Sequence, residues 1–161
     1  MVMAKKRVYV ESTITSYLTA KAAKKPIPLL RQQITKVWWE RRSEWDCFQA
    51  TPVIDEIKRG DQEAAAKRLE KARLIPEFPI TPEADALADL LVARKLVPAD
   101  KKVDAYHLAL AAFYEADYLL TWNLTHLDNL ELGSRIEELI RGWGLTPAKV
   151  ITPERLLEEP K

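Results

Sequence analysis

The sequence predicts an α/β protein, a three-layer sandwich in which helices cover both faces of a central, mostly parallel sheet. Short apolar segments alternate along the chain with longer stretches of helical periodicity, a pattern typical of parallel sheets. Thr-Pro pairs at Thr51–Pro52 and Thr81–Pro82 predict helix starts, because threonine caps a helix and proline suits its first turn. The length of 161 residues predicts one domain over residues 1–161, large enough for a core.

The first half of the chain is expected to form three strands and three helices. The first strand ends in Glu11, and Ser12–Thr13 follows as a turn or helix cap. Gly60 closes one helix, and Asp61 begins the next. Two prolines interrupt the last strand, which is therefore short or at an edge. In order, we expect a strand over 7–11, a helix over 28–45, a strand over 47–50, helices over 51–57 and 62–73, and a strand over 74–80.

The second half is expected to form three helices and two strands. Thr81–Pro82 opens the first helix, and Asp100 is expected to cap the second, which is almost wholly apolar. Asn123 lies in the loop after the first of the two strands. We expect helices over 82–95 and 103–116, a strand over 118–121, a helix over 134–141 and a strand over 150–151.

Composition excludes several classes of protein. The net charge is only +1, so any nucleic-acid surface must be a local patch. The single Cys47 excludes an internal disulfide and predicts a reducing cytoplasm. No apolar run is long enough to span a membrane, and the basic N-terminus leads into a strand rather than a signal region. No glycine-rich phosphate loop follows a strand, which disfavours a nucleotide enzyme of the Rossmann type.

Asp104 is the most informative residue, because it opens a helix that is apolar on nearly every face. Such a helix belongs in a core, where an ionised carboxylate needs a partner or a metal. Three further oxygen-bearing residues follow or adjoin strands: Glu11, Glu56 and Asn123. In a parallel sheet all four can meet at the carboxyl edge. Oxygen ligands of this kind favour Mg²⁺ or Mn²⁺ over Zn²⁺ and suit phosphodiester hydrolysis.

Four segments in order resemble a PIN domain, and more narrowly the VapC-type toxins of bacterial and archaeal toxin–antitoxin pairs. They are Val8-Tyr9-Val10-Glu11-Ser12-Thr13, Val53-Ile54-Asp55-Glu56-Ile57, Val103-Asp104-Ala105-Tyr106-His107-Leu108-Ala109 and Tyr118-Leu119-Leu120-Thr121-Trp122-Asn123. The resemblance extends from about residue 7 to 157.

The resemblance implies a metal-dependent endoribonuclease that uses Mg²⁺ or Mn²⁺ to cleave RNA, with an antitoxin protein as partner and a tendency to form homodimers. The catalytic and metal-binding roles would fall on Glu11, Glu56, Asp104 and Asn123, and an accessory hydroxyl would come from Ser12 or Thr13. This chain has Glu11 and Asn123 where the family usually has aspartate. A catalytically degenerate module that binds RNA or protein therefore remains the alternative function.

Several residues have a structural as well as a functional interpretation. Asp55 is a rival for Glu56, Asn123 could instead cap a turn, and Asp128 could substitute for Asn123. His107 lies one turn beyond Asp104 and is more typical of a core or supporting histidine than of a catalytic base, while His126 is expected in an exposed loop.

Tryptophans 38, 39 and 45 favour packing over RNA stacking. Substrate contacts are expected from Lys101, Lys102 and Trp122, and Lys58–Arg59 is a second basic pair near a site acid.

Overall fold

Five parallel strands form the centre of the protein, in the order β3-β2-β1-β4-β5. The structure is a computed structural model that describes residues 3–125 and 129–160. The strands are β1 Arg7–Val10, β2 Asp46–Ala50, β3 Glu77–Phe78, β4 Tyr118–Leu120 and β5 Lys149–Ile151. The helices are α1 Ser12–Thr19, α2 Pro26–Glu40, α3 Thr51–Ile57, α4 Gln62–Ala72, α5 Pro82–Ala93, α6 Lys102–Phe113, α7 Leu130–Gly142 and α8 Pro153–Glu158. The predicted parallel α/β sandwich is confirmed.

The two faces of the sheet carry separate cores, because successive side chains of a strand point to opposite faces. In β1, Val8 and Val10 lie in a core with residues of α1, α2 and α8. Tyr9 lies between them in sequence but belongs to the other core, which α3, α5, α6 and α7 help to form. Glu11 follows Val10 directly, so the alternation of β1 predicts that it shares a face with Tyr9 and α6.

We expect the polar site at the point where the order of strands in the sheet reverses. From β1 the chain builds β2 and β3 to one side and then returns to place β4 on the other side of β1. In open α/β sheets ligands bind beyond the carboxyl ends of the strands at such a switch point. Here that point lies between β1 and β4, which end at Val10 and Leu120.

Several elements differ from the sequence predictions. The third strand covers only Glu77–Phe78 of the predicted 74–80, and α7 begins at Leu130 rather than at residue 134. Residues 12–19 form α1 rather than a turn alone, and the Thr152–Pro153 pair opens a further helix, α8. The predicted helix over 28–45 begins earlier and ends at Glu40, and residues 42–44 form a 3₁₀ turn into β2. The three tryptophans of this region are buried in one core, which confirms packing as their role: Trp38, Trp39 and Trp45.

Two of the four predicted helix caps are confirmed. The side chains of Asp61 and Thr81 accept hydrogen bonds from the N–H groups of Ala64 and Ala84, as helix caps do. The predictions for Thr51 and Asp100 are wrong. Thr51 is already the first residue of α3, and Asp100 lies in a 3₁₀ turn ahead of α6. Within residues 3–125 and 129–160, no helix is long and apolar enough to cross a membrane.

Candidate metal centre

Glu11 occupies the carboxyl end of β1 and also caps α1. Its Oε1 atom accepts hydrogen bonds from the Thr13 N–H (2.9 Å), the Thr13 hydroxyl (2.5 Å) and the Thr121 hydroxyl (2.8 Å). Its Oε2 atom accepts only the longer bond of the Ser12 hydroxyl, at 3.2 Å. The side chain is 6% exposed. One oxygen of Glu11 therefore caps the helix, and the other accepts a single longer bond.

Glu56 faces the same site from α3 and is held by a histidine of α6. Its Oε1 atom lies 2.7 Å from Nε2 of His107 and accepts a 3.2 Å bond from the Ser12 hydroxyl. Nδ1 of His107 lies 2.8 Å from the Tyr9 hydroxyl. Asp55, the rival of Glu56, is exposed to solvent. The geometry therefore places Glu56, and not Asp55, beside Glu11.

The charges of this group stabilise one another. Burial raises the pKa of the Glu56 carboxyl, but the hydrogen bond and charge of His107, the hydrogen bond of Ser12 and the charge of Arg59 together hold that pKa below its usual value. Burial lowers the pKa of His107, whereas its bond to Glu56 and the negative charges of Glu11, Glu56 and Asp104 raise it above its usual value. Burial, with Glu11 and Glu56, also raises the pKa of Tyr9 well above normal. Tyr9 is consequently a neutral hydroxyl.

Asp104 lies in the first turn of α6 and lines a small cavity together with Glu11 and His107. Its carboxylate is half-buried. Among residues 3–125 and 129–160 no group donates a hydrogen bond to it, and no Lys or Arg pairs with it. Within the described residues, Asp104 therefore interacts with His107 through its charge alone and accepts no hydrogen bond.

Asn123 lines the same cavity as Asp104, but its amide oxygen is engaged locally. Oδ1 accepts bonds from the Thr125 N–H (3.2 Å) and the Thr125 hydroxyl (2.7 Å), which is the turn-capping geometry typical of asparagine. The Asn123 N–H donates to the Thr121 hydroxyl at 2.9 Å. The structure therefore brings Asn123 to the site but shows its ligand atom in use. Asp128, the proposed substitute, and His126 lie outside the described residues.

The donor set fits a hard divalent cation. Single ligand atoms of Glu11, Glu56 and His107 lie within 4.8 Å of one another, and Asp104 joins Glu11 and His107 around one cavity. Oε2 of Glu56 and both oxygens of Asp104 accept no hydrogen bond from the described residues. Asp104 is not one of the three residues whose ligand atoms lie within 4.8 Å of one another, so the closest carboxylates are those of Glu11 and Glu56. Neighbouring carboxylates repel one another unless a positive charge neutralises them. His107 supplies part of that charge to Glu56, and carboxylate oxygens suit Mg²⁺ or Mn²⁺.

The expected accessory and substrate residues occupy different environments. Ser12 bridges Glu11 and Glu56, and Thr13 bonds Glu11 and the Trp122 N–H. Trp122 is 7% exposed and its indole N–H donates to Thr35, so its ring belongs to the core rather than to an open surface. Lys102 pairs with Asp89 at 2.6 Å. Three further basic residues near the site acids are exposed to solvent: Lys58, Arg59 and Lys101.

Sequence reasoning missed Thr121 and Tyr9 as parts of this site. Both lie at or near strand ends, two residues from a predicted site residue, and therefore on the same face of their strand. Thr121 donates to Glu11 and accepts from the Asn123 N–H, so it joins two of the predicted ligands. Because alternate residues along a strand lie on the same face, this two-residue spacing could have identified both residues from the sequence.

Comparison with known proteins supports the fold. No protein-family model and no curated protein matches the chain. Among solved structures, VapC20 of Mycobacterium tuberculosis, described as a toxin that cleaves the sarcin–ricin loop, is similar with a TM-score of 0.53. The match has 15% sequence identity and covers 73% of this chain and 91% of VapC20. At this identity the likeness shows a shared fold, which confirms the resemblance to PIN-domain toxins at that level.

Proposed function

We propose that this protein is a metal-dependent endoribonuclease, the toxin of a toxin–antitoxin pair. The observation that carries the proposal is the cluster of Glu11, Glu56 and His107, whose ligand atoms lie within 4.8 Å of one another at the switch point of the sheet. Asp104 lines one cavity with Glu11 and His107 and forms no ion pair with a Lys or Arg among the described residues. The shared fold with VapC20, a toxin that cleaves the sarcin–ricin loop of RNA, supports the same activity here.

In this proposal Glu11, Glu56 and Asp104 hold the cation, and Asn123 completes the site through its amide oxygen. A bound Mg²⁺ or Mn²⁺ supplies an activated water and neutralises charge on the phosphate. Thr13 and Thr121 fix the Glu11 side chain, so its Oε2 atom, which accepts only the 3.2 Å bond of the Ser12 hydroxyl, would be oriented for a cation. Asn123 must exchange its bonds to Thr125 for a ligand bond, which makes it the weakest member of the set.

The exposed Lys101, three residues before Asp104, is proposed to hold an RNA phosphate. Lys102 is already paired with Asp89, so we expect it to contribute less than Lys101 to phosphate binding. Apolar side chains are exposed on α2 at Ile27, Leu30 and Val37, and surfaces of this kind often bind other proteins. They support a protein partner, for which the proposal names an antitoxin or a second copy of the chain. The proposed setting is the cytoplasm.

The direct test is RNA cleavage by the purified protein. With Mn²⁺ or Mg²⁺ present we expect single cuts in RNA, and with excess EDTA we expect none. Asp104→Asn removes one charge and keeps the shape of the side chain, so it should abolish cleavage. Asp55→Asn is the matched control, because Asp55 is exposed and next to Glu56 in sequence; it should cleave as the unchanged protein does. If Asp104→Asn cleaves RNA as well as Asp55→Asn does, the proposal is wrong.

One observation favours a second candidate, a PIN-like module that binds RNA or protein without cutting. Oε1 of Glu11 and Oδ1 of Asn123, at the two positions where this chain departs from the family's aspartates, both accept bonds from threonines. A module of this kind would bind RNA equally well with Mn²⁺ and with EDTA. An electrophoretic mobility-shift assay under the two conditions, run beside the cleavage assay, separates the candidates.

A further inference from the structure

A buried chain of hydrogen bonds leads from the core to Glu56. It begins at the Tyr9 hydroxyl, passes through both ring nitrogens of His107 over 2.8 and 2.7 Å, and ends at Oε1 of Glu56. Tyr9 is fully buried and His107 is 3% exposed. Tyr9 and His107 also pack edge to face, with 5.6 Å between ring centres. The core therefore holds His107, which bonds Glu56, and Tyr9, which bonds His107.

The direction of the last bond follows from the charges. A carboxylate that holds a cation is ionised, and an ionised carboxylate can only accept hydrogen bonds. Nε2 of His107 must then carry a hydrogen, whether the ring is neutral or protonated. A histidine nitrogen that donates to Oε1 cannot at the same time bind a cation through that atom. His107 consequently acts on the site through Glu56 and does not compete with the carboxylates as a ligand.

The two oxygens of the Glu56 carboxylate differ in their hydrogen bonds. Oε1 is occupied by His107 and Ser12, whereas Oε2 accepts no hydrogen bond from the described residues. Two donors on one oxygen fix the plane of the carboxylate and leave the other oxygen for a ligand. Partners that orient a metal-binding side chain commonly change metal affinity by about 10- to 100-fold when they are removed.

We propose that Tyr9 and His107 are positioning residues, which orient the Glu56 carboxylate so that Oε2 faces the cation. The proposal rests on the function proposed above, since it assumes that Glu56 holds Mg²⁺ or Mn²⁺. Its specific claim is that the residues act on cation affinity through Glu56. A histidine that served packing alone would change stability and leave that affinity as it was.

The test compares His107→Leu, His107→Gln and Tyr9→Phe by Mn²⁺ titration and by RNA cleavage. His107→Leu removes the donor to Glu56, and we expect its Mn²⁺ dissociation constant to rise by about 10- to 100-fold. Glutamine can still donate an N–H toward Glu56, so His107→Gln should recover part of the affinity. Tyr9→Phe removes only the far end of the chain and should have the smallest effect of the three.

A matched control and a kinetic measurement separate positioning from packing. Tyr106→Phe removes a tyrosine hydroxyl from the same helix, one that bonds Asp85 and not the site, and its Mn²⁺ affinity should not change. In cleavage assays His107→Leu should need more Mn²⁺ for half-maximal activity, recover activity at saturating Mn²⁺, and keep its KM for RNA. Thermal unfolding in EDTA shows whether each variant is folded.

Two results would overturn the proposal in distinguishable ways. If the unchanged protein binds Mn²⁺ and cleaves RNA, but folded His107→Leu keeps its affinity within about twofold, far below the change expected for a residue that orients a ligand, His107 serves packing and only the positioning role is wrong. If the unchanged protein neither binds Mn²⁺ nor cleaves RNA, the proposed function is wrong and the positioning role is wrong with it.

Discussion

Replacing Glu11 by alanine and by glutamine should separate the structural role of this side chain from its charge. Alanine removes the cap of α1 and leaves the hydroxyls of Thr13 and Thr121 without their shared acceptor. Loss of a cap costs about 1 kcal/mol, and a hydrogen bond to a charged acceptor contributes about 1.5 kcal/mol or more. Relief from burying a negative charge offsets part of this cost. We therefore expect Glu11→Ala to lower the free energy of unfolding by about 3 kcal/mol.

Glutamine should behave differently, because it keeps the acceptor and loses only the charge. Its amide oxygen can take the place of Oε1, and its amide N–H₂ can donate to the Ser12 hydroxyl, which now donates to Oε2. The repulsion between Glu11 and the other two carboxylates also disappears. Glu11→Gln should therefore unfold within about 1 kcal/mol of the unchanged protein in EDTA, since it exchanges one satisfied hydrogen bond for another, yet bind Mn²⁺ far more weakly.

The assay is urea unfolding in EDTA, followed by circular dichroism, with Glu63→Ala as the control. Glu63 lies exposed in the first turn of α4 and accepts no bond from a site residue, so its replacement should leave stability nearly unchanged. The reasoning is refuted if Glu11→Ala costs less than about 1 kcal/mol, the value expected from the lost cap alone. It is also refuted if glutamine proves as costly as alanine.

Two further predictions concern groups outside the site. The Thr35 hydroxyl accepts the buried indole N–H of Trp122 at 2.9 Å, so Thr35→Val should cost about 1–3 kcal/mol in urea unfolding by leaving that donor unpaired; a variant as stable as the unchanged protein would contradict the assigned bond. Burial, reinforced by the charge of Asp46, raises the pKa of the Cys47 thiol from 9.0 to about 12. Iodoacetamide at pH 8 should therefore alkylate Cys47 about a thousandfold more slowly in the folded protein than in urea, and similar rates in both would show that the thiol is not protected.

The sequence predicted the parallel α/β fold because short apolar segments alternate with longer stretches of helical periodicity. Asp61 and Thr81 cap helices as their chemistry predicts. Helix α1 was missed for a physical reason: its residues, Ser-Thr-Ile-Thr-Ser-Tyr-Leu-Thr, have low helix propensity. Burial of Ile14 and the cap from Glu11 support that helix instead, and neither contact can be seen in a single local segment.

The sequence predicted candidate site residues but not how their side chains contact one another. Glu11, Glu56 and Asp104 follow from strand ends and from one charge at an apolar helix. What each oxygen contacts depends on side-chain conformations set by distant residues, as when Thr121 reaches Glu11 across 110 positions of sequence. The engagement of Asn123 by Thr125 and the link from Tyr9 through His107 to Glu56 are contacts of the same kind.

Calorimetric titration of the metal-free protein with Mn²⁺ tests the central claim most directly, because it asks whether the three carboxylates form a cation site. We predict saturable binding to the unchanged protein, equally tight binding to Asp55→Asn, and binding at least tenfold weaker to Asp104→Asn, the tenfold corresponding to about 1.4 kcal/mol. The absence of saturable heat in the unchanged protein, or equal affinity in both variants, would contradict the claim that Glu11, Glu56 and Asp104 hold a divalent cation.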